Sequence, residues 1–425
     1  MIILALAFHL FLLANLQFTV WPEMLSYPYL FSNGFSLYGG MAYPYSPLLT
    51  AILAGWLSVF GFSVFALKIF TWLGIAATDI FVLLSLRELF DKAKAYFLLA
   101  LFILAQSVFD GNMMWFDNFL ILPLSAAFYF FLKRKFYLLG AALAIATFTK
   151  QTAFIYPLVF AGYLFYRKDF AALKKVTAPI VFFWVIFLLY LLLAGQLQWF
   201  LNWNYIYPLT FWTGFPGYTD LAPTKQELFL LVLIASSAIL VIRKKVITAA
   251  LVFAALVATY PRFSFFHLQP AIVFLPFAIG YAGKKFAVPV AFLLLVIAMP
   301  IFARNWGEQD RFTGRETAEI IGSFDEERVY LLGVHSANYV FSRTLPPKPW
   351  VDNFGWYMEI PGIQQEVIQG IEREKIDTIL IRVPREGNWF DIGVYLPDKV
   401  VEHVRRNFDN KGEIVEGIEL WQREK

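Results

Sequence analysis

Glu23 is the one acidic residue in the stretch "WPEMLSYPYLFSNGFSLYGGMAYPYSPLLTAI", residues 21–52, which is otherwise rich in Tyr, Phe, Pro and Gly. A carboxylate in such a loop is a candidate general base, able to take the proton of an attacking hydroxyl. It would also serve as a cap, because an acid after Pro at a helix start is favoured by the helix dipole. Four basic residues, Lys68, Lys150, Lys225 and Arg262, lie at the ends of apolar runs. Cations so placed suit an anionic head group at a membrane surface, phosphate above all. Snorkelling of each long side chain to the interface is the competing explanation.

The elements that must position these residues are membrane helices. Of 425 residues, 59% are hydrophobic and only 16% charged, and long apolar runs recur through the first 300 or so. The opening run, residues 2–20, lacks a basic start and a small-residue cleavage site, so it reads as a retained helix. With no cysteine, disulfides, thiolate metal sites and cysteine nucleophiles are excluded. The net charge of +4 hides a segregation: residues 1–303 hold 19 Lys and Arg against 9 Asp and Glu, and residues 304–425 hold 16 against 22. A boundary near Arg304 is therefore expected between a transmembrane domain, 1–303, and a small α/β domain, 304–425. In the latter, strand-like "RVYLLGV" and "IDTILIRV" alternate with amphipathic "IQQEVIQGIEREK", as in a βαβ crossover. The polar segment "RNWGEQDRFTGRETAEI" is the expected tether.

Basic residues collect in cytoplasmic loops. Five clusters, at 87–94, 133–135, 167–175, 243–245 and 284–285, all face the cytoplasm if residues 46–60 form an interfacial or re-entrant helix. The spans become about 2–20, 64–86, 93–109, 116–132, 136–149, 152–166, 176–194, 226–242, 246–260, 266–282 and 286–303. Eleven crossings make a polytopic α-helical protein of the cell membrane with its C-terminal domain extracytoplasmic. The outer face then receives Glu23, Asp110, Asp117, Asp220 and Glu227 with the four bases.

Other positions carry two readings each. Asp117 and Asn118 open a helix at the outer face, where capping competes with substrate contact. His267 and Gln269, beyond Arg262, suit sugar or phosphate, though a lone His near a helix start is more often structural. Asp79 falls inside a span, where an ionisable group is costly and usually paired; Thr78 and a facing Gln106 offer it partners. The aromatic loop of residues 197–220 reads as an interfacial belt, able also to stack on sugar rings.

Taken in order, Glu23, "GFSLYGGMAYPYSPLL", Asp117 in "WFDNFLILPL", "GAALAIATFTKQTAFIYPLVF" with Lys150 at its turn, and "PRFSFFHLQPAIVFLP" resemble the GT-C type membrane glycosyltransferases, over residues 1–303. The protein O-mannosyltransferases and lipid A aminoarabinose transferases, which take sugars from polyprenyl-phosphate carriers, are the nearest in kind. The resemblance implies a catalytic acid in the first outer loop, here Glu23. It also implies interfacial helices in that loop, and basic residues at later outer turns, here Lys150, Arg262 and Lys68, gripping the donor phosphate. Asp117, Tyr43, Gln151, His267 and Gln269 become the substrate-binding candidates. Related enzymes usually place Asp, often Asp-Glu, where this chain has Pro22 and Glu23. The first loop has no D-x-D, so no cofactor or essential metal is expected, although Asp110 and Asp117 could hold one.

The chemistry agrees with the residue types independently of the resemblance. A phosphate leaves readily because Lys150 and Arg262 can absorb its developing charge. Only the incoming hydroxyl needs a base, so one carboxylate suffices for direct displacement with inversion, whereas glycosidases generally need two. The expected partners are a polyprenyl-phosphate-linked sugar, an acceptor that is protein, glycan or lipid, and membrane lipids, with no nucleic acid. A transporter or lipid flippase is the alternative, but such proteins place polar groups at the bilayer midplane on broken, repeated helices. A membrane-anchored scaffold would leave the outer charges unexplained.

Overall fold

The computed structural model describes residues 2–215, 222–260, 262–312, 315–324, 326–352, 354–382 and 395–423, with the backbone alone described at 315 and 316. Asp220 lies outside the described residues. The chain divides into two compact units. The first comprises Met1–Val20, Leu67–Tyr190 and Asp220–Arg311; the second comprises Trp21–Ala66, Leu191–Thr219 and Phe312–Lys425. The charge step suggests one cut between residues 303 and 304, whereas two earlier segments join the C-terminal residues in the second unit.

In chain order the helices are α1 (Ile2–Asn15), α2 (Glu23–Ser32), α3 (Leu48–Phe60), α4 (Val64–Leu89), α5 (Lys92–Gln106), α6 (Phe116–Leu132), α7 (Phe136–Thr149), α8 (Ile155–Tyr166), α9 (Phe170–Leu193) and α10 (Leu197–Leu201). There follow α11 (Lys225–Val241), α12 (Val246–Ala258), α13 (Gln269–Ala282) and α14 (Lys284–Asn305). Each of the eleven segments expected to span holds one of these helices, with ends displaced by a few residues. Among the described residues, five are long and apolar enough to cross a membrane: Val64–Leu89, Lys92–Gly111, Phe170–Leu193, Phe265–Ala282 and Lys284–Asn305. The protein is thus mostly helical, with a hydrophobic core of Leu, Ile, Val, Ala and Phe from α1, α4 to α9 and α11 to α14 in the first unit.

Local chemistry fixes several helix ends there. Asp91 caps α5 by accepting the Lys94 N–H at 3.0 Å. Thr224 and Glu227 form a capping box at the start of α11. Gly140 lets α7 approach the backbone of α9 so closely that a Cβ would stand 2.3 Å from the Val176 carbonyl oxygen. After α5 the chain runs through a π-turn, Ser107–Gly111, in which Asp110 has the left-handed φ of 50°. The turn is held by side chains from elsewhere: Gln106 Nε2 donates to Gly111 O at 3.0 Å, Asn118 Nδ2 donates to Asp110 O at 2.9 Å, and Gln269 Nε2 donates to Phe109 O. Behind Gln106 sits a buried chain of polar groups, since His9 Nε2 lies 2.8 Å from Gln106 Oε1 and His9 Nδ1 lies 2.7 Å from Asp79 Oδ2. Asp79 therefore is paired inside its helix, through His9 rather than Thr78, whose hydroxyl donates to Gly74 O.

In the second unit, α2 and α3 belong to the first loop, and α3 has 13 residues, about 20 Å, shorter than a bilayer core of about 30 Å. Gly61, with φ of 90°, ends it. The aromatic segment continues after α10 into π-turns Asn202–Ile206 and Pro208–Trp212. The C-terminal residues form α15 (Arg315–Gly322), β1 (Tyr330–Leu332), α16 (Ala337–Ser342), α17 (Gly355–Met358), α18 (Ile363–Arg373), β2 (Thr378–Arg382), α19 (Asp398–Asn407), β3 (Asp409–Val415) and β4 (Ile418–Gln422). Their four-stranded sheet has the order β1-β2-β4-β3, with β1 and β2 parallel and the other pairs antiparallel. The parallel pair with helices between its strands is the crossover that "IDTILIRV" suggests. The expected tether is anchored at least as far as Arg311: in the first unit Arg311 N donates to Phe18 O at 3.0 Å, and Val20 N donates to Arg311 O at 3.2 Å.

The π-turn makes a prediction. A Cβ at Gly111 would stand 1.8 Å from the Gln106 carbonyl oxygen, which is backbone and cannot rotate away. Gly111→Ala should lower stability in detergent by about 1–3 kcal/mol, read as a fall in the midpoint of thermal unfolding.

Candidate active site

Three helix ends of the first unit meet on one carboxylate. Asp117 lies in the first turn of α6 and is 3% exposed. Lys150 stands where α7 has ended and the 3-10 turn Gln151–Phe154 begins, with extended dihedrals (φ −150°, ψ 136°) that turn its side chain out of the helical path. Its Nζ donates to Asp117 Oδ1 at 2.7 Å and to Oδ2 at 2.6 Å. His267, from the 3-10 turn Phe265–Leu268 that precedes α13, places Nδ1 2.7 Å from the same Oδ2. Arg262 is close enough to act electrostatically on His267. An ammonium has three N–H donors, so two occupied by Asp117 leave one for a further acceptor.

The other basic and amide candidates are placed differently. Lys68, in the same unit, forms an ion pair with Asp310 at 2.8 Å and lies 5.6 Å from the centre of the Phe18 ring. Gln269 is fully buried and spends its amide N–H on the Phe109 carbonyl. Gln151 follows Lys150 directly and is half-buried. Among the described residues no three His, Asp or Glu side chains gather as a cation site.

Glu23 and Tyr43 belong to the second unit. Pro22 precedes α2 and Glu23 occupies its first turn, so the helix dipole favours the carboxylate there. The side chain is nonetheless only 8% exposed, and its Oε2 has no hydrogen-bond partner. Burial chiefly, and then the charge of Asp352, push the Glu23 carboxyl up to about 8, against an opposing bond to its own backbone N–H. Tyr43 is fully buried, and its hydroxyl pairs with Thr50 Oγ1 at 2.7 Å and donates to Ser46 O at 3.1 Å. Its ring packs edge-on to Tyr27 and Tyr38, so it braces the loop that carries Glu23.

Sequence reasoning treats Asp117 and Lys150 as separate contacts and does not single out Asp352. The signal for Asp352 was of the kind that marks Glu23, a lone acid among aromatic residues in "PWVDNFGW". His9 gives less: a His inside an apolar run shows no partner until the helices are packed.

No family model matches the chain, and no curated protein matches it by sequence. Solved structures do resemble it. ArnT from Cupriavidus metallidurans, bound to undecaprenyl phosphate, superposes with a TM-score of 0.52 at 14% identity, covering 88% of this chain and 72% of that one. The apo oligosaccharyltransferase of Archaeoglobus fulgidus gives 0.52 at 12% identity, covering 89% and 69%. The oligosaccharyltransferase AglB of the same organism, in complex with an inhibitory peptide and a dolichol-phosphate, gives 0.54 at 11% identity, covering 100% and 74%. ArnT and AglB are GT-C glycosyltransferases, and the fold of this chain is GT-C-like.

Two predictions follow from the geometry. Removing either partner of the buried Asp117–Lys150 pair strands a charge, so Asp117→Asn and Lys150→Met should each cost about 3–5 kcal/mol. The double variant should cost clearly less than their sum, measured by a double-mutant cycle of thermal stability. Glu23 makes the second. With its folded value raised above 4.5 to about 8, it keeps in the fold a proton that it loses in the unfolded chain. That contribution is complete below about pH 4.5 and is lost as pH rises towards 8, by up to about 5 kcal/mol. Wild type should therefore lose more thermal stability than Glu23→Gln between pH 5 and pH 9.

Proposed function

We propose that the chain is an inverting glycosyltransferase that moves a sugar from a polyprenyl-phosphate carrier to an acceptor at the outer face of the membrane. The observation that carries the reading is Glu23: a carboxylate in the first loop of a GT-C-like fold, almost wholly buried, with an oxygen that has no hydrogen-bond partner. Buried polar atoms are nearly always satisfied, and a group that is not, with a strongly shifted affinity for protons, marks a working site. The lipid phosphates bound to ArnT and AglB support the donor class.

In this reading the eleven segments cross the membrane, the basic clusters face the cytoplasm, and the C-terminal domain is extracytoplasmic. Glu23 accepts the proton of the acceptor hydroxyl. That oxygen forms the new bond to the anomeric carbon, and the electron pair of the broken bond leaves with the phosphate. Lys150 and Arg262 hold the donor phosphate. Asp117 holds Lys150 and His267 in position, and the third Lys150 N–H is the donor for a phosphate oxygen. Lys68 serves the phosphate only on exchanging Asp310 for it. Gln151, His267 and Gln269 are left as contacts to the substrate or supports of its neighbours.

Purified protein incubated with polyprenyl-phosphate sugars should release or transfer sugar. Glu23→Gln should abolish turnover while keeping donor binding, because it removes the proton acceptor alone. Lys150→Ala and Arg262→Ala should weaken both binding and turnover by about 1.5–3 kcal/mol each, less than additively if they share one phosphate. Movement of intact donor across a vesicle membrane with no turnover would instead make the chain a transporter.

A further inference from the structure

Glu23 and Tyr27 are four residues apart on α2 and so share one face of it. That face meets the C-terminal part of the second unit. Tyr27 stands edge-on to Trp350, with ring centres 5.6 Å apart and planes at 72°. Trp350 is itself pinned to the first loop by two backbone hydrogen bonds, its N–H donating to Gly40 O at 3.1 Å and its carbonyl accepting from Ala42 N at 2.8 Å. A second tie joins the hydroxyls of Ser26 and Ser336 at 3.0 Å. Asp352 follows Trp350 by two residues and is only 2% exposed.

We propose that Asp352 is a positioning residue for the transfer reaction, acting through Glu23 to keep that carboxylate a strong enough base for an alcohol proton, so that the first loop and the C-terminal segment form one proton-accepting unit. The inference rests on Glu23 being the base. Asp352, buried on the segment that packs against the first loop, is near enough to Glu23 for its charge to act on that carboxyl. Tyr27 faces Glu23, Asp352, Tyr45 and Tyr357, and burial holds its phenol neutral. Two carboxylates near one another resist ionising together, and the raised affinity of Glu23 for protons reflects both its burial and this neighbour. A base near pH 8 takes a hydroxyl proton with more driving force than one near 4.5. The C-terminal domain thereby acquires a part in the chemistry.

The test is the pH dependence of kcat/KM for wild type, Asp352→Asn, Asp352→Glu and Glu23→Gln, with binding of polyprenyl phosphate measured beside it. The wild-type rate should climb through a limb near pH 8. In Asp352→Asn the limb should move to lower pH and the plateau should fall about tenfold as the base weakens. Asp352→Glu should restore both, and all variants should bind polyprenyl phosphate as wild type does. An unmoved limb and plateau in Asp352→Asn, with Glu23→Gln inactive, overturns the role of Asp352 and leaves Glu23 as the base. Full activity in Glu23→Gln overturns the reading of Glu23 itself. Should Asp352→Asn fail to fold, the infrared band of the protonated Glu23 carboxyl, identified as the band that Glu23→Gln removes, decides in a second variant, Asp352→Ser: the band should be lost at lower pH than in wild type, and loss at the same pH in both overturns the inference.

Discussion

The carboxylate of Asp117 is the tie on which the geometry of the first unit depends. It receives Lys150 from the end of α7 and His267 from the turn before α13, while it sits itself at the start of α6. Each of these ends exposes backbone groups and carries a side chain that would be poorly solvated alone. Joined on one pair of oxygens they fix where α7 ends and where α6 and α13 begin. The neighbouring residue Asn118 reaches the other way, to Asp110, and Gln269 reaches Phe109. The π-turn after α5 is thus held from two of the same three helix ends, and through Gln106 from His9 and Asp79.

Much of this was legible because it followed from one-dimensional rules. Apolar length found the helices, and basic clusters bounded them. The alternation of "IDTILIRV" with an amphipathic stretch gave the parallel strand pair. What escaped was whatever depended on partners distant in sequence. Asp117 and Lys150 were visible as outer-end charges, but a sequence shows charges without showing which of them neutralise one another. Lys68 reads as a spare cation until Asp310 is found beside it. Tyr43 reads as a substrate contact, and the sequence does not show that its hydroxyl also bonds Thr50 and Ser46. Asp352 shows in the sequence as one acid among aromatic residues, and only the fold shows that its charge acts on Glu23.

The second unit shows why a boundary drawn from composition and one drawn from packing differ. Composition changes near Arg304 because the chain there leaves an apolar helix for a segment richer in charged residues. Packing follows the backbone bonds of Trp350 with Gly40 and Ala42 and the rings of Tyr27, Tyr43 and Trp350. These bind an aromatic loop near the start of the chain to a sheet domain near its end. An acid inside such an aromatic layer is stripped of water, which gives Glu23 properties that the same residue in a solvated loop would lack.

The pairing of Trp350 with the first loop also sets an order on biosynthesis. The loop emerges early, yet the strand-like contact that closes over it is made by residues translated roughly 300 positions later. At 5–20 residues per second that is a wait on the order of 15 to 60 seconds. For that interval the newborn chain carries its aromatic loop uncovered and Glu23 without its charged neighbour. A ribosome that stalls within the later helices would leave a chain in which this carboxyl lacks the part of its raised affinity for protons that Asp352 contributes.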